Sequence, residues 1–129
     1  MRMIAAVAAA VTILLPLPAH AQNPLLQTAM REKLSNAQEL LEGLVRGDFV
    51  RIDRSAEMLS RISDVEIVSW QTAARPDYID MASQFLLSVE DLRTAAENRN
   101  LGNVLREYTT MITVCTNCHT YVRDSVRAD

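Results

Sequence analysis

Glycine and proline are scarce: the 129-residue chain has Gly 3 and Pro 4, and Pro16 and Pro18 fall within its first 21 residues. So few breakers exclude collagen-like, linker-rich and turn-dense all-β chains. A basic excess is also missing, since the formal net charge is −3. That argues against a nucleic-acid partner and against stable association with an anionic membrane surface. Aromatics make up only 5%, as Phe 2, Trp 1 and Tyr 3, so a core built from side chains alone has little bulk to draw on. No cysteine follows the N-terminal segment in a lipidation position. Cysteine and histidine are nearly absent too: Cys115, Cys118 and His119 are the only ones beyond His20.

Residues 1–21 read as a cleaved secretory signal peptide, with an uncleaved N-terminal anchor as the alternative. Arg2 is the only charge, Met3 to Leu17 is an apolar run, and Ala19-His20-Ala21 is a small-x-small cleavage pattern. The run is short for a membrane span. Residues 22–129 then form one domain exported to an oxidising compartment, where a close cysteine pair is ordinarily a disulfide.

Within that domain the apolar period predicts four helices. The first spans about 24–46, capped by Asn23 and stopped by Gly47, with a seam of Leu26, Met30, Leu34, Ala37, Leu41 and Leu44. Gly43 inside it costs roughly 1 kcal/mol against alanine. Asp48 caps the second, about 49–63, whose inward stripe is Ile52, Ala56, Leu59 and Ile62. From Asp64 to Pro76 the period is lost and a crossing loop is expected, with Trp70 as a lid on the core. The third helix runs from Pro76 or Asp77 to Asn98 on Tyr78, Ala82, Phe85, Val89, Leu92 and Ala96. Asn100 caps the fourth, about 101–126, with a stripe of Leu101, Leu105, Tyr108, Ile112, Cys115, His119, Val122 and Val126. Short links make neighbours antiparallel, so the fold class is an all-α antiparallel four-helix bundle.

Cys115-Thr116-Asn117-Cys118-His119 is C-x-x-C-H, the attachment pattern for c-type haem. On a helix, residues i, i+3 and i+4 share one face. Both thiols can then form thioethers with the two haem vinyl groups while the His119 imidazole reaches the iron. A zinc site needs four ligands, usually in two separated pairs, and the chain has no second cluster. A thioredoxin-like redox pair wants a βαβ context. A fortuitous CxxCH with a plain disulfide or free thiols is the remaining alternative. Export, helical context and the confinement of Cys and His to this motif favour one covalent haem c on the C-terminal helix, and a haem would also supply the missing apolar bulk. The chain without it is expected to pack poorly.

Cys115-Thr-Asn-Cys118-His119-Thr-Tyr121-Val-Arg123 resembles the ending of the class II cytochromes c, the family of cytochrome c′ and the low-spin cytochromes c-556. Met30-Arg-Glu-Lys33-Leu34 resembles that family's distal segment, and the likeness spans about 24–127. It implies a four-helix bundle in the bacterial periplasm. It implies His119 as proximal iron ligand and Met30 as candidate sixth ligand, as in the electron-transferring members. An apolar residue over the iron, here Leu26 or Leu34 after a register slip, would instead give a five-coordinate protein binding nitric oxide or carbon monoxide. Tyr108 and Ile112 are expected to line the haem pocket, Arg123 to hold a propionate, Tyr121 to cover the haem edge, and Arg31 and Lys33 to meet propionates. Met58 and Met81 lie slightly off the inward stripes, and Met111 lies on the proximal side. The function expected is one-electron carriage to a transient redox partner protein, without catalysis. Family members often dimerise through their first two helices, so a homodimer is the assembly the resemblance implies.

Overall fold

The computed structural model describes residues 24–73 and 75–128, with side chains described to residue 125. The leader, the cleavage pattern and the Asn23 cap lie outside the described residues. Four helices follow in order: α1 Pro24–Arg46, α2 Phe49–Thr72, α3 Pro76–Glu97 and α4 Leu101–Ala128. Each packs mainly on its neighbour in sequence, while α1 and α4 barely meet. Cross-helix bonds show that neighbours are antiparallel. Arg51 near the start of α2 pairs with Glu39 and Glu42 late in α1, and Tyr121 late in α4 bonds to Asp77 at the start of α3. Among the described residues no helix is long and apolar enough to cross a membrane.

The helix ends follow from local chemistry. Gly47 has φ +67, its N–H donates to the Leu44 carbonyl at 3.2 Å, and the Asp48 N–H donates to the Gly43 carbonyl at 2.8 Å. That is a Schellman stop, whose left-handed residue favours glycine. Asp48 Oδ1 then accepts the N–H groups of Val50 and Arg51, both at 3.1 Å, and caps α2. The same 6→1 and 5→2 pair closes α3, with Asn100 N–H on the Ala95 carbonyl at 3.2 Å and Arg99 N–H on the Ala96 carbonyl at 2.9 Å. Here Arg99 takes the left-handed position, at φ 51. Its guanidinium lies 4.9 Å from the Phe49 ring centroid, which offsets part of the backbone cost. Asn100 Oδ1 caps α4 by accepting the Asn103 N–H at 3.0 Å.

The expected inward stripes of α2 and α3 are all buried. Three expectations are corrected. The loop from 64 to 76 does not form, because α2 continues to Thr72. The period seemed lost there because the inward positions turn polar: Ser63 and Glu66 are buried, while Val65 and Val68 face solvent. Ser63 Oγ donates to the Leu59 carbonyl at 2.7 Å, so that hydroxyl satisfies itself within the helix. Trp70 is half-buried, its ring 4.6 Å from that of Tyr78.

The α1 seam is turned from the expected one. Ala29, Leu40, Gly43 and Leu44 are buried, whereas Leu34 is 61% and Leu41 44% exposed. On α4, Val104 and Met111 are fully buried, whereas Leu105 is 55% exposed and His119 is exposed. Both shifts have one cause. A closed bundle gives each helix two neighbours, but α1 leans chiefly on α2 and α4 on α3, so each turns its buried face toward its single large partner.

The core is concentrated at one end. Its cluster takes Leu40 and Leu44 from α1, Ile52, Ala56 and Leu59 from α2, Phe85 through Ala96 positions from α3, and Val104 and Met111 from α4. Most lie toward the end that carries the α1–α2 and α3–α4 turns, and Phe85 reaches the other half. The opposite half, where α1 begins and α4 ends, is less filled.

Candidate functional site

In that opposite half a cleft of 220 Å³ opens between α1 and α4. Met30, Lys33, Leu34 and Ala37 of α1 form one wall; Ile112, Val114, Cys115, Cys118 and His119 of α4 form the other. Glu66 of α2 and Met81, Ala82 and Phe85 of α3 close its base. One turn above the cleft the Tyr108 hydroxyl donates to the Ala37 carbonyl at 3.4 Å. The helices touch at that level and part below it.

The structure therefore brings Cys115, Cys118, His119, Met30 and Ile112 to one cleft. Helical spacing accounts for the first three, because all sit within one turn of α4. Both cysteines are half-buried free thiols. Burial raises the pKa of each above 9.0. At Cys118 the nearby Glu66 carboxylate adds to that rise while Lys33 opposes it. Such thiols are protonated and weakly nucleophilic at neutral pH.

Four other expected residues stand elsewhere. Tyr108 packs against the core one turn above the cleft rather than lining it. Arg123 is exposed and bonds Thr120 Oγ1 at 3.4 Å. Arg31 is exposed and bonds Thr28 Oγ1 at 3.3 Å. Tyr121 donates to Asp77 Oδ2 at 3.0 Å. Met111 is fully buried in the core, and Met58 lines a separate groove between α1 and α2.

Among the cleft residues, Glu66, Met81 and Val114 fall off the expected stripes. Met81 lines the base although it falls off the α3 stripe. Glu66 falls within the stretch from Asp64 to Pro76 where the sequence predicts a loop. Extending the α2 stripe by one step of four from Ile62 reaches it, but a carboxylate at an inward position reads as a break in the pattern. Its partner is Lys33, on the next helix: the two form an ion pair with side chains 4% and 11% exposed. Lys33 Nζ also lies 3.9 Å from the Phe85 ring centroid, and Trp70 Nε1 donates to Glu66 Oε1 at 3.3 Å.

The residues fit a covalently held haem. The walls are mostly apolar, as a porphyrin face requires. Two thiols sit together on one wall with a histidine beside them, and a thioether sulfur, Met30, lies on the facing wall. Among the described residues no group of three or more His, Cys, Asp or Glu converges as an all-protein metal site. No protein-family model, no curated protein and no solved structure matches the chain.

Proposed function

We propose that the chain is an exported, periplasmic c-type cytochrome that carries single electrons, with one haem c bound through Cys115 and Cys118 and its iron held by His119 and Met30. One observation carries the reading: the CxxCH residues of α4 and Met30 of α1 face each other across one apolar cleft. It agrees with the resemblance to the class II cytochromes c. The haem, once bound, supplies a metal that changes oxidation state by one electron.

The chain's own residues do the rest. Cys115 and Cys118 fix the group to α4, and His119 on the same turn orients it. Phe85, Ala82 and Ile112 exclude water from its faces. A histidine–thioether ligand set favours the reduced state relative to two nitrogens. His119 and the adjoining rim are exposed, so a redox partner protein can dock there transiently. No step requires a catalytic base.

Leu34 supports a second reading, because it lines the same wall as Met30. If Leu34 rather than Met30 faced the bound haem, that wall would supply no ligand and the haem could bind nitric oxide or carbon monoxide. A ferric absorption spectrum of the matured protein separates the two. A far-red sulfur-to-iron charge-transfer band supports electron carriage, and a high-spin spectrum supports gas binding. Pyridine haemochrome analysis after denaturation tests both, because haem that extracts from the chain overturns covalent attachment.

A further inference from the structure

Lys33 and Glu66 are the only Lys, Arg, Asp or Glu side chains lining the cleft among the described residues. Both are nearly withdrawn from water. Each is also held by a ring: Lys33 by Phe85 and Glu66 by Trp70. Stability gives a weak reason for such a pair, since an apolar pair of similar volume is often as stable. Its position gives a stronger one. Fixed charges beside an apolar slot are poorly screened by water and salt, and so act on any change of charge within it.

We propose that the Lys33–Glu66 pair sets the electrostatic potential of the cleft, with Lys33 favouring the more negative charge state of the group seated on Cys115 and Cys118 and Glu66 favouring the more positive one. Its redox consequence rests on the haem reading above; its effect on the thiols does not. The two residues tune the group without ligating it. The opposed influences of Lys33 and Glu66 on the Cys115 thiol run in the directions this requires.

The test uses the full chain with Lys33→Met, Glu66→Gln and both together. In the haem-loaded protein a ferric iron carries one more positive charge than a ferrous one. Potentiometric titration should therefore show Glu66→Gln raising the potential and Lys33→Met lowering it. Each shift is expected to be about tenfold in the redox equilibrium, or about 59 mV for one electron. The double variant should return close to the parent.

The haem-free chain gives a second readout, because side chains from all four helices form its core cluster. In a Cys118→Ser background, alkylation of Cys115 at neutral pH should slow about threefold with Lys33→Met and quicken about threefold with Glu66→Gln, since only thiolate reacts. Shifts of one sign in both single variants, or a double variant displaced as far as a single one, overturn the proposal. Should one single variant fail to fold, the other single variant and the double still isolate each charge. A parent chain that takes up no haem removes the electron-transfer reading, and the Cys115 rates then decide the role of the pair alone.

Discussion

The Tyr121 hydroxyl donates to Asp77 Oδ2 at 3.0 Å, tying α4 two residues beyond His119 to the first turn of α3. Arg75 Nη2 donates to the same oxygen at 3.0 Å, and its guanidinium lies 4.0 Å from the Tyr78 ring centroid. The Tyr78 and Tyr121 rings meet edge-on at 5.9 Å. This cluster anchors the end of α4 that carries the CxxCH motif, where α1 gives it little support.

The anchor should be acid-sensitive. The Arg75 guanidinium, and then the Tyr121 hydroxyl, hold the Asp77 carboxyl below its ordinary 3.8. A carboxylate with a depressed folded pKa contributes stability that is complete above the unfolded value and is lost as pH falls through the folded one. The contribution should therefore be present above about pH 3.8 and fade below it. Denaturant midpoints measured down the acid range should show that step in the parent and lack it in Asp77→Asn. Tyr121→Phe should retain the Arg75 part. An Asp77→Asn profile parallel to the parent's would remove the anchor from the account.

The thiols predict the opposite pH dependence, and only before attachment. Both fold with pKa values raised above 9.0, chiefly by burial. A group whose folded pKa is raised contributes stability that is complete below the unfolded value and is lost as pH rises through the folded one. The haem-free chain should lose stability above about pH 9, read as a falling denaturant midpoint. A thioether does not titrate, so the loaded protein should show no such fall. Equal slopes in the two forms would mean that the thiols are still free.

Met30 and Met81 both line the cleft, so the proposed Met30 ligation can be tested by exchange. Met30→Leu should abolish the sulfur-to-iron band and turn the ferric spectrum high-spin, while Met81→Leu should leave the band in place. Leucine is close to methionine in volume, so each change should cost under about 1.5 kcal/mol of stability. The reverse spectral result would move the ligand to α3.

Gly43 marks a close approach of α1 to the start of α2. A Cβ there would stand 2.9 Å from Ile52 Cγ1, 3.2 Å from its backbone nitrogen and 3.3 Å from the Asp48 carbonyl oxygen. Helix propensity alone would reward Gly43→Ala by about 1 kcal/mol, but overpacking against backbone costs roughly 1–3 kcal/mol. The crowding should win. Thermal unfolding of Gly43→Ala should show a lowered midpoint, by about 4–8 °C for each kcal/mol lost. A raised midpoint would show that the glycine serves no close contact.

Much of the fold could be read locally. The stripes of α2 and α3 repeat at helical spacing, Gly47 and Asp48 meet at one turn, and Asn100 caps the helix it precedes. Each of these depends on residues within one or two turns of each other. The grouping of Cys115, Cys118 and His119 on one face is local in the same sense, since it follows from spacing once α4 is a helix.

The remaining features needed the packed chain. Glu66 reads as an interruption until Lys33, on another helix, neutralises it; with that partner in place α2 can run on to Thr72. The seams of α1 and α4 depend on how many neighbours each helix has, and a periodic sequence cannot count them. The same parting of α1 from α4 decides which methionines face the cysteines: Met30 and Met81 do, while Met111 is absorbed into the core. The sequence by itself determined four helices, the Asp48 and Asn100 caps and one chemically loaded turn. The tertiary structure decided where the bundle stays open and which charges line the opening, because both depend on contacts between residues far apart in the chain.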